Sequence, residues 1–349
     1  MPATQTNTSP ARRKPSARKR LIRTIGWLGF VGGGLLTPRL AARSAARLWC
    51  KLPANAGRRK DNRPWPGALQ QVDLGLKAPL AVETWEPFSA PLADAAGGTS
   101  EAASSSAQDA AAHSPADQTA GETAGQGAAS DTRTVLLVHG WGGWRGQVAA
   151  FVKPLTAAGF RVVAIDSLSH GDSGPGRHGP KYSSGGELMR SLEAWVAQNG
   201  NPYGVIAHSL GCAATCRMLL RGTLQAERLV LVSPSPDMRK MARRFAKSLG
   251  FKERATRLMN EEMEKRAQGS LADFDIGDMG ATGQLGAALV IHDSVDKESP
   301  YAVSEDIAAR WEGARLVTTQ GLGHHRILID PAVVELAGAY MAGDDQASL

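Results

Sequence analysis

The sequence predicts an α/β architecture, a mostly parallel central sheet flanked by helices and interrupted by a helical cap, and three observations carry that prediction. Short Val/Leu/Ile-rich runs recur at 134–138, 161–165, 204–207, 228–232, 287–291 and 315–319, with helix-forming segments between them. Continuous apolar strands joined by helices belong to a parallel sheet covered on both faces. One of these strands runs into Ala207-His208-Ser209-Leu210-Gly211 and then into the helical stretch 213–220. The rhythm breaks once, over 237–286, where Met238, Met241, Phe245 and Leu249 make one apolar stripe and Leu258, Met259 and Met263 contribute to another. A helical insertion there, between two strands, is placed to cover a site at the strand ends.

A chain of 349 residues suits one main domain with appendages. Its net charge of +7 is unevenly spread, because residues 1–60 hold 14 Lys and Arg and no Asp or Glu. The remainder is acidic, which removes the main support for nucleic-acid binding by the body of the protein. Cysteines at 50, 212 and 216 do not make a disulfide framework in a chain this long and fit a reducing, cytoplasmic setting. Cys212 and Cys216 lie four apart on a predicted helix. With no second pair of ligands nearby they read as core thiols, and no metal or other cofactor is expected.

The basic arm, 1–62, raises the question of targeting. Arg12-Arg13-Lys14 and Arg18-Lys19-Arg20 precede an apolar run from Ile25 to Thr37. That run is glycine-rich, too short for a bilayer and without a clear cleavage site, so export is disfavoured. From Leu35 to Leu48 the pattern is amphipathic, with Leu36, Leu40 and Leu48 on one side and Arg39, Arg43 and Arg47 on the other. The expected element is a helix packed on the body with a solvated basic face. The sharper alternative is peripheral contact of residues 1–50 with an anionic membrane.

Residues 63–88 are expected to supply the first strands, with Val72–Leu76 and Leu80–Trp85 alternating across Lys77-Ala78-Pro79. Residues 89–131 collapse into Ala, Ser, Gly and Thr and cannot offset their ordering entropy by burial, so disorder is expected there. The sheet domain then runs over 132–236 and 287–343, on either side of the cap at 237–286.

The chemistry starts at Ser209. Small residues at 207 and 211 permit a sharp strand-to-helix turn that lifts the serine hydroxyl out at the sheet edge. A serine is a weak nucleophile until an imidazole takes its proton. His324, in Gly321-Leu322-Gly323-His324 directly after the last strand, is the expected base, with His325 the alternative. The imidazole needs a carboxylate. Asp296, in the loop after the strand 287–291, is preferred, and Asp293 stays open. His139-Gly140-Trp141-Gly142-Gly143 follows the strand 134–138, and its glycines let backbone approach a substrate. The N–H groups of Trp141 and Leu210 are the expected donors to a developing oxyanion. His208 is read as structural, pointing away from the reaction.

These segments, with Asp166-Ser167-Leu168-Ser169-His170-Gly171-Asp172-Ser173 between the glycine loop and the elbow, together resemble the α/β-hydrolase superfamily, near its lipase- and esterase-like members with an HGWGG loop. The resemblance spans about 132–343 less the cap, and the order Ser209, Asp296, His324 follows its pattern. Ala207 replaces the usual first glycine of the elbow. The resemblance implies attack by Ser209 on an acyl carbonyl, proton shuttling by His324 and orientation by Asp296. It makes His170 and Asp172 structural, and a serine at the elbow argues against haloalkane and epoxide chemistry. The expected substrate is a small-molecule carboxylic ester or thioester of moderate to high apolarity. Acyl transfer on the same triad, or a membrane-docked binding protein without turnover, would use the same fold.

Overall fold

The computed structural model describes residues 29–33, 35–53, 60–88 and 132–349. The expected disorder at 89–131 and the basic clusters before residue 29 lie outside the described residues.

Eight strands form one sheet in the order β1-β2-β4-β3-β5-β6-β7-β8. They are β1 (Ala68–Val72), β2 (Leu80–Trp85), β3 (Thr134–Val138), β4 (Arg161–Ile165), β5 (Gly204–His208), β6 (Arg228–Val232), β7 (Ala288–Asp293) and β8 (Ala314–Thr319). β3 to β8 are parallel, while β2 runs antiparallel to both β1 and β4. β1 ends at Val72, where the alternating pattern suggested that a strand begins. Asp73 Oδ1 accepts from Gly75 N at 3.0 Å, and Gly75 turns at φ +70°, so the next apolar residues belong to the connection.

The strands separate two apolar layers. In β3, Leu136 and Val138 face one layer and Val135 and Leu137 the other; β4 alternates the same way with Val163 and Ile165 against Val162 and Ala164. Period-two alternation with both sets buried is what a sandwiched sheet requires. Helices Val152–Ala157 and Pro331–Ala342 cover one face; Gly185–Asn199 and Leu210–Leu220 cover the other. All the connections that matter below leave the carboxyl ends of β3 to β8.

Between β6 and β7 the chain builds helices Met238–Ser248 and Glu253–Ala267, a 3-10 turn Leu271–Phe274 and helix Ile276–Gly280. Asp237 caps the first helix by accepting from Arg239 N, and Ser270 with Asp273 forms a capping box on the turn. Met238, Leu249, Met259 and Met263 are buried, with Met241, Phe245 and Leu258 packed against them. Both expected stripes therefore face inward.

The helix Pro38–Trp49 packs on the helix Glu253–Ala267 through a face that leucine counting misses. Ala41, Ala42, Ala45 and Ala46 are buried, whereas Leu36 and Leu40 are 85% and 61% exposed. Small side chains let two helix axes approach closely, so the alanine stripe makes the better contact surface. The arginines stay on the outside as expected, with Arg43 3.5 Å from Glu262 and Arg47 over the ring of Tyr182.

Candidate active site

Ser209 sits between the end of β5 and the helix Leu210–Leu220 with φ 54° and ψ −121°. A non-glycine residue held there carries strain of about 1–3 kcal/mol, which the surroundings must impose. They do so by close approach. A Cβ on Gly140 would come within 2.7 Å of Ser209 Cβ, and one on Gly211 within 2.7 Å of the His139 carbonyl oxygen. Ala207 is accommodated, fully buried, in the apolar layer beneath the turn.

His324 opens toward this serine from the short helix Gly323–Arg326 after β8. Its Nε2 lies 3.0 Å from Ser209 Oγ and its Nδ1 2.7 Å from Asp296 Oδ2. Both His324 and Asp296 are buried. Asp296 Oδ1 accepts from the N–H groups of Glu298 and Ser299 at 2.7 and 3.0 Å, and His292 Nε2 stands 3.3 Å from Oδ2. Burial pushes the Asp296 carboxyl up, but hydrogen bonds from His292, His324 and Ser299 N–H outweigh it and hold the group well below the usual carboxylate range.

The alternatives have other partners. Asp293 accepts from Thr319 Oγ1 and Leu322 N, both at 2.8 Å, and so ties the loop after β8 to the end of β7. His325 turns its Nε2 to Glu298, 3.1 Å away, and its Nδ1 to Gln147.

Leu210 is the first residue of its helix, so its N–H has no carbonyl four residues back within the helix. Trp141 and Leu210 both line the cavity at Ser209, with Gly142 turning the intervening loop at φ 67°. The arrangement suits two backbone donors converging on a substrate oxygen.

Three groups support this arrangement through contacts that the local sequence pattern does not show. His208 does not merely point away: its ring is buried and its Nε2 lies 3.0 Å from the carbonyl oxygen of His324, so the residue before the serine holds the loop that carries the imidazole. His139 bridges Gly140 O (2.8 Å from Nδ1) and Ser167 N (3.1 Å from Nε2), fixing the glycine loop against the end of β4. Arg145, 2% exposed, bonds Glu83 at 2.8 Å, Asp172 at 2.9 Å and Asp166, whose Oδ1 also accepts the Arg145 N–H at 2.6 Å. Asp172 thus has the structural place expected of it. His170 packs beside His139 and Trp141.

Burial holds His139 and, more strongly, His208 below the ordinary histidine range, with the nearby rings of His324 and His325 adding to the effect at His208. Both stay neutral in the fold while the unfolded chain takes up protons below about pH 6.5. Their contribution is therefore complete above that pH and is lost on acidification, by up to about 1.4 kcal/mol per pH unit for each ring. Urea unfolding at pH 7.5 and 5.5 is expected to give the lower stability at 5.5, with a smaller difference in His208→Gln. An equal difference in the variant would contradict this origin.

The cavity in front of Ser209 has a volume of about 620 Å³, in the range of small-molecule sites. Met238, Met241, Met263, Leu271 and Phe274, all from the segment between β6 and β7, line it, together with Trp49 from the arm helix. Cys50 also reaches it, but burial pushes its thiol up to about 11, which leaves it an apolar lining group rather than a nucleophile. Cys212 and Cys216 are buried, and burial raises both thiols, as expected for core residues. Among the described residues, no helix is long and apolar enough to cross a membrane.

Comparison with known proteins agrees with this fold. No curated protein matches the sequence. Est1E from Butyrivibrio proteoclasticus, solved with ferulic acid, is similar over 78% of this chain and 97% of its own, at 15% identity and a TM-score of 0.51. A hydrolase from Pseudomonas aeruginosa aligns over 79% and 98% at 18% identity with a TM-score of 0.49. A monoacylglycerol lipase from Paleococcus ferrophilus aligns over 59% and 94% at 22% identity with a TM-score of 0.44. At these identities the first likeness speaks for the fold alone. The model of the alpha/beta hydrolase family matches residues 135–337, from β3 into the last helix, and with the strand order and the elbow at Ser209 it establishes that the chain belongs to the α/β hydrolase family.

Proposed function

We propose that the protein hydrolyses carboxylic esters or thioesters of apolar acids through an acyl-enzyme on Ser209. The observation that carries this reading is the hydrogen-bonded series from Asp296 through His324 to Ser209, with spacings of 2.7 and 3.0 Å. His324 Nε2 takes the proton as Ser209 Oγ forms a bond to the acyl carbon, and Asp296 steadies the imidazolium. The carbonyl oxygen, now negative, accepts from the N–H groups of Trp141 and Leu210. Collapse breaks the bond to the leaving alcohol or thiol, which receives the proton from His324. Water then attacks the acyl-serine with the same base, releasing the acid and restoring Ser209.

The apolar wall supports an acid with a hydrocarbon chain. Methionines are suited to varied apolar groups because their unbranched side chains repack easily. Purified protein is expected to cleave p-nitrophenyl esters, with kcat/KM rising from acetate to octanoate as more of the chain is buried. A flat or falling series would remove the apolar acyl site from the proposal.

We also propose that the arm touches an anionic membrane surface. Leu35, Leu36, Leu40 and Leu48 are exposed, and Arg39, Arg43 and Arg47 stand on the same helical segment. An apolar ridge flanked by cations suits the boundary between headgroups and acyl chains. Co-sedimentation with phosphatidylglycerol vesicles is expected, weakened several-fold by Leu36→Ser with Leu40→Ser. Binding unchanged in that variant would remove the ridge from the account.

A further inference from the structure

The cavity is chemically divided, and the division has a direction. His324 Nε2 must protonate the leaving oxygen, so the leaving group departs on the side of His324. The carbonyl oxygen points to Trp141 and Leu210, and the acyl chain takes the remaining wall. On the His324 side the lining is polar. His325 follows His324 on the same short helix; Gln147 Nε2 is 3.0 Å from its Nδ1, and Glu298 Oε1 is 3.1 Å from its Nε2. Lys60 lines the same cavity with these three. None of the four hydrogen-bonds to Ser209 Oγ or to the His324 ring; Glu298 reaches the triad only through its backbone N–H to Asp296.

We propose that Lys60, Gln147, Glu298 and His325 form a subsite for a neutral leaving group that carries further hydroxyls, of the glycerol or polyol type, so that the substrate joins an apolar acid to a polyhydroxylated alcohol. This rests on the ester-hydrolase reading above. The rim supplies donors in the Lys60 ammonium and the Gln147 amide, and acceptors in the Glu298 carboxylate and the Gln147 oxygen. A hydroxyl both gives and receives a hydrogen bond, so it pairs with either kind. A phosphate or second carboxylate in the leaving group would meet Glu298, and a plain alkyl alcohol would gain no hydrogen bond from the rim. Gln147 has a built position: its amide nitrogen meets His325 Nδ1, so that Nε2 of the ring bears the proton facing Glu298, and its Oε1 sits so close to Gly143 that a Cβ there would come within 2.7 Å. The bonds made and broken are those of the hydrolysis already described; the subsite binds and orients the alcohol.

The test compares two esters of one acid, 1-decanoylglycerol and ethyl decanoate, below their aggregation concentrations. The full chain is expected to favour the glycerol ester at least tenfold in kcat/KM. In Glu298→Ala and in Gln147→Ala the ratio of the two values is expected to fall toward one. The ratio cancels any general damage to the triad, so a variant with reduced activity still reports. A ratio near one in the unaltered protein, or a high ratio kept in both variants, overturns the subsite while leaving the hydrolase intact. If neither ester is cleaved, the hydrolase reading itself fails and the subsite with it.

Discussion

Replacing Ser209 by Ala is expected to lower kcat for ester hydrolysis on the order of 10⁴- to 10⁶-fold while leaving the fold in place. The size follows from the unit in which the serine acts, since removing one member of such a triad costs nearly as much as removing all of them. The fold should survive because, among the described residues, Ser209 Oγ bonds only to His324, and the strained turn is imposed by the backbone approach at Gly140 and Gly211 rather than by the hydroxyl. Asp296→Asn should also be severe, on the order of 10⁴-fold, because an amide at 2.7 Å from His324 Nδ1 favours the wrong tautomer. Steady-state kinetics with p-nitrophenyl butyrate, alongside circular dichroism, checks both. A Ser209→Ala protein with more than a tenth of the original kcat would place the nucleophile elsewhere.

The second large effect is on stability. Arg145→Met should destabilise the protein by about 3–5 kcal/mol, because it leaves the fully buried Asp166 without its cation and the fully buried Glu83 with Arg63 alone. Arg145→Lys should fall between, since an ammonium cannot reproduce the fork that serves Glu83, Asp166 and Asp172 together. The half-exposed pair of Arg217 and Asp273 supplies the contrast, with Arg217→Met expected to cost under about 1 kcal/mol. Urea denaturation of the three variants tests the ranking; equal losses for Arg145→Met and Arg217→Met would contradict it. Arg145 follows the loop that carries Trp141, so the same variant should also lower kcat.

The parts legible in the sequence were those written in local patterns. The six parallel strands announce themselves as short apolar runs, and the turn at Ser209 by its small flanking residues between strand and helix. What stayed hidden depends on contacts between distant segments. Glu83 lies 62 residues from Arg145 and Asp166 lies 21 away, so nothing near Arg145 marks it as buried. The bond from His208 to the His324 carbonyl spans 116 residues. On the arm helix, counting leucines pointed to the wrong face, because alanine is a weak hydrophobic signal but a good surface for close packing against Glu253–Ala267. For the choice between Asp296 and Asp293, the pattern offered two carboxylates in one loop. Among the described residues Asp296 is the carboxylate hydrogen-bonded to the His324 ring, whereas Asp293 accepts from Thr319 and Leu322.

Ser209, which lines the cavity beside His324, is proposed to be an activated nucleophile. The most direct measurement is labelling of the purified protein with a fluorophosphonate, followed by peptide mapping. The expected result is stoichiometric modification confined to Ser209, lost in His324→Ala although the serine is still present. An unlabelled protein, or a label on another residue, would contradict the account.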